Sequence, residues 1–239
     1  MRVVIFGLGK MGLPLAVQCA YAGHMVLGVD INAALVVQIN TGETPYTHEP
    51  ELHERLTMAL HNKNLRATTD APSAVQQAEV ILVIVPVKLS PNQCPDLTTI
   101  LAATTQIGQH LRPGTLVSYE TTLPVGTTRH VLVPCLENQS GLRCGVDFHV
   151  VFSPERVKSK LVFKKLHETP KIVGGVSPLC TQRGMRFYAS CFGSEVINAE
   201  TLEAAELTEE QIPWDDLPFR STHDALRDYF AGLLHPLPS

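Results

Sequence analysis

Three glycines, one aspartate, one threonine and two glutamates carry most of the chemistry this chain can offer. Gly7-Leu8-Gly9-Lys10-Met11-Gly12 has the GxGxxG spacing directly after the apolar run Arg2–Phe6. In such a turn the first glycine permits the tight bend, and the second lets backbone approach a diphosphate. The third allows the next helix to pack closely on the sheet. Amides at the start of that helix, around Lys10 and Met11, then face the phosphates. Asp30 ends the next apolar run, 18 residues beyond Gly12, near the spacing of about 20 expected for a ribose-binding carboxylate. A carboxylate there accepts hydrogen bonds from both ribose hydroxyls and repels a 2′-phosphate, so the expected cofactor is NAD rather than NADP. Glycine turns are common, and the motif gains force only from the strand before it and the helix after it.

Those elements are readable for most of the chain. Arg2–Phe6, Met25–Val29, Glu79–Val85, Thr115–Ser118, Phe148–Val151 and Lys171–Val173 read as strands. Helical spacing covers Met11–Ala22, Ala33–Asn40, Glu49–His61, Leu97–Leu111, Gly126–Glu137 and Pro178 to about Ser190. Acidic Glu49 and Glu51 suit the start of the third of these helices. Ser153–Pro170 reads as a basic loop, and Gly174-Gly175 as a turn. Strand–helix alternation of this kind predicts an α/β fold, a doubly wound parallel sheet of Rossmann-like type. Ligands of such sheets bind at the carboxyl ends of the strands.

The 239 residues carry a net charge of −4 and are 44% apolar and 18% charged, which predicts a packed core and argues against a nucleic-acid partner. The charge is uneven: residues 195–239 hold ten acidic and two basic side chains, residues 1–194 thirteen and seventeen. This shift predicts a boundary, with a dinucleotide-binding domain over 1–195 and an acidic tail with helices over 196–239. The longest uninterrupted apolar run, Val80–Val87, has 8 residues, far short of the roughly 20 of a membrane span. The six cysteines are scattered, with no CxxC pair and no Cys/His cluster. Free thiols in a cytoplasmic protein, without disulfides or a metal site, are the expectation.

Several stretches together resemble the nucleotide-sugar dehydrogenase family, and the spelling is closest to its UDP-N-acetylglucosamine and UDP-N-acetylmannosamine branch. They are GLGKMGLPLA (7–16), GVDIN (28–32), INTGETPYTHEPEL (39–52), Pro95-Asp96-Leu97, YETTLPVGTTR (119–129), FSPERV (152–157) and PKIVGGVSP (170–178). The resemblance implies NAD-dependent oxidation of the C6 alcohol of a UDP-sugar to a carboxylate. It places Thr122 near the nicotinamide with a catalytic water, and Pro86-Val87 in a loop over the cofactor. It assigns Glu155 acid/base work and hydrolysis of a thioester intermediate. On the residues alone, Thr122 equally suits a loop or cap. Glu155 equally suits an ion pair with Arg156 or a nearby lysine, and Glu120 an ion pair of its own. The basic run Arg156, Lys158, Lys160, Lys164, Lys165 and Lys171 could attract a diphosphate or simply be solvated.

The resemblance also implies parts that are missing. The family's nucleophilic cysteine lies in a glycine-rich segment that no cysteine here shares. Past Ala199-Glu200-Thr201, where the family carries a lysine, residues 199–210 hold glutamates and no lysine. A carboxylate cannot stabilise a developing alkoxide as an ammonium does. A catalytically incomplete NAD-binding remnant is therefore the alternative expectation. Self-association is expected through an apolar face left where further family domains would dock.

Overall fold

The computed structural model describes residues 1–89, 94–156 and 161–206. Expectations for Val157–Lys160 and for a helix near the end of the chain lie outside these residues. Ten strands and nine α-helices are described: β1 (Arg2–Phe6), α1 (Gly12–Tyr21), β2 (Met25–Val29), α2 (Ala33–Asn40), α3 (Leu52–His61), β3 (Leu65–Thr68), α4 (Ala71–Gln77), β4 (Val80–Val83), β5 (Lys88–Leu89), β6 (Pro95–Asp96), α5 (Thr98–His110), β7 (Leu116–Tyr119), α6 (Val133–Ser140), β8 (His149–Phe152), α7 (Val162–Glu168), β9 (Lys171–Gly175), α8 (Pro178–Cys191), β10 (Val196–Asn198) and α9 (Leu202–Glu206). A π-helical turn over Thr128–Leu132 leads into α6.

Eight strands form one sheet in the order β10-β9-β8-β7-β4-β1-β2-β3, and β5 with β6 makes a separate two-residue ladder. The central strands β4, β7 and β8 are buried along their whole length; β4 is accordingly an unbroken apolar run, while β7 and β8 each bury one polar residue, Ser118 and His149. One face packs Leu13, Val17, Leu52, Leu56, Phe163 and Phe187 from α1, α3, α7 and α8. The other packs Val75, Ile100, Ile107, Leu136 and Leu202 from α4, α5, α6 and α9. This is the doubly wound α/β sheet of the Rossmann type. No described helix is long and apolar enough to cross a membrane.

The sheet is not wholly parallel. From β3 to β8 every pairing is parallel, but β9 runs antiparallel to β8, with Phe152 opposite Gly174, and β10 follows β9. Between β8 and β9 the chain passes through the seven-residue α7, about 10 Å long, and re-enters the sheet from its carboxyl end, so β9 runs back along β8. Ser153–Pro170 is thus not all loop. Its helix is held by Glu49, a buried residue that accepts the Val162 N–H at 2.6 Å. Glu49 therefore does not open α3. That helix begins at Leu52, after Glu51 in a left-handed conformation (φ 65°).

Gly174 and Gly175 lie inside β9 rather than in a turn. A Cβ on Gly174 would sit 1.9 Å from the Thr201 carbonyl oxygen, so glycine there is what lets α9 lie against β9. Residues 196–206 continue the sheet and its cover, so the charge shift near residue 195 coincides with no break in the structure. Gly174→Ala is expected to lower stability by about 1–3 kcal/mol or more, read as a drop in thermal midpoint. Gly141→Ala, at an open helix end where a Cβ meets nothing within 4 Å, costs only the strain of its positive φ.

Candidate functional site

The glycine turn, Asp30, Pro86-Val87, Thr122 and Glu155 all lie at the carboxyl edge of the sheet. The glycine turn follows β1, Asp30 follows β2, Pro86-Val87 follow β4, Thr122 follows β7 and Glu155 follows β8. Gly7 adopts φ 92°, and a Cβ there would meet the Ile84 carbonyl oxygen at 2.7 Å. A Cβ on Gly12 would lie 1.8 Å from the Gly7 carbonyl oxygen, so the first turn of α1 closes directly onto the strand end. Gly9 is exposed, with nothing within 4 Å of its Cβ direction. Among the described residues, no acceptor bonds the amides of Gly9, Lys10 or Met11. Three unengaged N–H groups at a helix start, beside a position with no side chain, fit a diphosphate.

The Asp30 carboxylate is aimed back at this turn. Its Oδ2 accepts the Leu8 N–H at 2.8 Å and its Oδ1 the Asn32 N–H at 2.9 Å. A carboxylate has about four acceptor positions, so two remain for ribose hydroxyls. Ile31 beside it is 93% exposed, an apolar surface next to that carboxylate. Tyr46 donates its hydroxyl to the Leu8 carbonyl at 3.2 Å and braces the turn from the α2–α3 loop. Burial, then the neighbouring Asp30, raise its pKa and keep the phenol protonated. The donor and acceptor set therefore fits NAD.

Thr121 ties the neighbouring loops together by donating its hydroxyl to the Val85 carbonyl at 2.7 Å. Pro86 and Thr122 are exposed and Val87 is half-buried, on the ends of adjacent strands. Just downstream, Glu206 from α9 accepts the N–H groups of Gly126 (2.6 Å) and Thr128 (3.2 Å) and the Thr128 hydroxyl (2.6 Å). Glu203 pairs with Arg129. These two glutamates clamp α9 to the segment that carries Thr122. Burial raises the pKa of Glu206 against its hydrogen bonds, whereas the Arg129 hydrogen bond holds that of Glu203 below the usual range.

Under Glu155 lies a buried polar cluster. Lys171 Nζ donates to Glu120 Oε2 at 2.7 Å and to Glu155 Oε2 at 3.0 Å. Tyr188 donates to Glu120 Oε1 at 2.8 Å, and its hydroxyl lies 2.6 Å from Ser118 Oγ. Burial alone would lower the Lys171 pKa, but the two carboxylates outweigh it and hold it above the ordinary value. Burial raises the pKa of Glu120, opposed by Lys171. Glu155 thus pairs with a lysine, and that lysine is Lys171 in a strand. Lys164 and Lys165 lie on α7 and pair with Glu168. Tyr188 escaped the sequence reading because only the packing of α8 across the sheet brings it to Glu120. No disulfide joins the six cysteines.

A doubly wound sheet with a glycine turn and an aspartate on the next strand defines a dinucleotide-binding domain. Residues 1–192 match the model of the NAD binding domain of the UDP-glucose/GDP-mannose dehydrogenase family, and the chain belongs to that family. It is 35% identical over 237 residues to a UDP-N-acetyl-D-mannosamine dehydrogenase of Pyrococcus horikoshii, covering 98% of this chain and 54% of that protein. The solved UDP-D-ManNAc dehydrogenase structure from that organism superposes with a TM-score of 0.84 at 32% identity, over 98% of this chain and 54% of the other. A ternary complex of GDP-mannose dehydrogenase from Pseudomonas aeruginosa gives 0.83 at 28%, over 97% and 52%. The chain spans about half the length of the relatives it matches.

Three outcomes test this geometry. Lys171→Met leaves Glu120 buried without its cation and is expected to cost about 3–5 kcal/mol. Tyr188→Phe removes one donor and costs about 1 kcal/mol; chemical denaturation reads both. Because the Glu203 pKa is depressed in the folded chain, its contribution is present above the ordinary glutamate value and lost as pH falls through the folded one. Melting curves of Glu203→Gln should show a shallower acid decline than those of the unaltered chain.

Proposed function

We propose that this chain binds NAD and contributes to oxidation of the C6 alcohol of a UDP-N-acetylhexosamine to the uronic acid. The observation that carries the reading is the Asp30 carboxylate hydrogen-bonded to the glycine turn, within a chain 35% identical to a UDP-N-acetyl-D-mannosamine dehydrogenase. The amides of Gly9, Lys10 and Met11 hold the diphosphate, and the two free acceptor positions of Asp30 hold the adenosine ribose. Pro86 and Val87 border the cofactor. NAD, when bound, accepts the hydride. Thr122, exposed at the end of β7, orients a water with its hydroxyl. Glu155, hydrogen-bonded to Lys171, is the acid/base group that takes a proton from that water.

A second reading rests on the half-length match and on the glutamates of α9: the 239 residues bind NAD without completing the chemistry. In this reading substrate oxidation needs a cysteine and a lysine that no residue here replaces. Calorimetric titration with NAD tests the shared part. Asp30→Asn is expected to weaken binding about tenfold, since a hydrogen bond to a charged group is worth about 1.5–3 kcal/mol. Absence of any NAD-induced heat or fluorescence change sinks both readings. Incubation with NAD and UDP-N-acetylmannosamine then separates them: absorbance growing at about 340 nm, NADH formation by chemistry rather than by binding, supports the first, and binding without it supports the second.

A further inference from the structure

The opposite end of the sheet carries a cavity of about 500 Å³, inside the range of roughly 300–1,000 Å³ typical of small-molecule sites. It opens at the amino ends of β1, β4 and β7, the whole length of β1 from the glycine turn. Four arginines line it, Arg2, Arg112, Arg183 and Arg186, with Glu79 as the carboxylate among its lining residues. Glu79 is already engaged, accepting the Arg2 backbone N–H at 2.7 Å and facing the Arg2 guanidinium at 3.6 Å. Arg183 donates to the Gly114 carbonyl at 3.3 Å, which anchors its side chain at the rim. Among the described residues, Arg112 and Arg186 make no side-chain hydrogen bond or ion pair. Three cations without a carboxylate thus surround one concavity, in a chain whose net charge is −4.

Like charges gathered around one open concavity repel one another and together raise a positive potential in it. Guanidinium forks match the oxygens of a phosphate two at a time. The cavity is larger than a bare oxyanion needs; Val80, Leu116 and Phe187 lie covered at its base, and the exposed Met1 and Pro113 supply its apolar lining. We propose that this cavity binds a phosphorylated small molecule, with its phosphate on Arg112, Arg183 and Arg186 and its apolar or aromatic body against Met1 and Pro113. The site stands apart from the cofactor crevice and does not depend on the proposed dehydrogenase reading.

The test titrates the full chain, at low ionic strength and with saturating NAD, with inorganic phosphate and with phenyl phosphate. Phenyl phosphate should bind several-fold more tightly than phosphate. The double variant Arg112→Ala/Arg186→Ala should lose about tenfold or more of that affinity, the scale of one charged hydrogen bond, with its NAD affinity and thermal midpoint unchanged. Equal phenyl phosphate affinity in the two chains overturns the site, and so does the absence of binding to the unaltered chain. Phenyl phosphate binding no tighter than phosphate overturns the assignment of an apolar body. If NAD itself fails to bind, the same comparison without NAD still decides.

Discussion

A lysine buried between two carboxylates holds the working edge of this sheet together. Lys171 opens β9, Glu120 follows β7 and Glu155 follows β8, so one ammonium joins three successive strands across their ends. Burying that charge costs several kcal/mol, repaid only where geometry is good and the remaining lone pairs are satisfied. Tyr188 and Ser118 complete the set from a helix and a strand. The arrangement exists because β9 runs against its neighbours. A parallel β9 would begin at the other end of the sheet and leave Glu120 buried without a cation. The reversal of one strand and the placement of one lysine are the same structural fact.

The cofactor crevice rests on a different constraint, the absence of side chains where three backbone segments meet. The strand end at Gly7, the helix start at Gly12 and the strand end at Ile84 come so close that a methyl group at either glycine collides with a carbonyl oxygen. That closeness aims the amides of Gly9 to Met11 outward and brings Leu8 within reach of Asp30. Tyr46 reaches the same turn, and Glu49, three residues on, reaches α7. The loop between α2 and α3 therefore braces both the turn after β1 and the helix beyond Glu155. A change in that loop acts on both sides of the site at once.

Much of this was legible in the order of the residues, because it depends on local pattern. The buried strands announce themselves as apolar runs, and the glycine spacing with Asp30 fixes the crevice. What was not legible depends on contacts distant in sequence. β3 and α4 carry no sequence assignment, since Leu65–Thr68 is a four-residue strand with an exposed arginine and α4 is only seven residues long. The antiparallel direction of β9 shows only in its pairing with β8, because the basic composition of Ser153–Pro170 conceals α7 and carries no sign of strand direction. Glu49 carries the charge of a helix start, and only the folded chain shows that it caps a different helix 113 residues away. Gly174-Gly175 has the spelling of a turn, yet the glycines serve the approach of α9 and α8 to a strand.

The uneven charge of the chain is the clearest case of composition and structure diverging. Ten acidic residues after 194 suggest a segment set apart, but two of the four described ones, Glu203 and Glu206, are used inside the fold, while Glu195 and Glu200 are exposed. Glu203 answers Arg129, and Glu206 answers the free amides of Gly126 and Thr128. An anion at a helix start offsets both the unpaired N–H groups and the positive end of the helix dipole. The same physics that readies the amides of Gly9 to Met11 for a phosphate is satisfied at Gly126 by a side chain of the protein itself. The sheet edge thus holds two helix starts of similar chemistry, one closed by α9 and one open. The open one lies beside Asp30, whose carboxylate keeps acceptor positions that fit ribose hydroxyls.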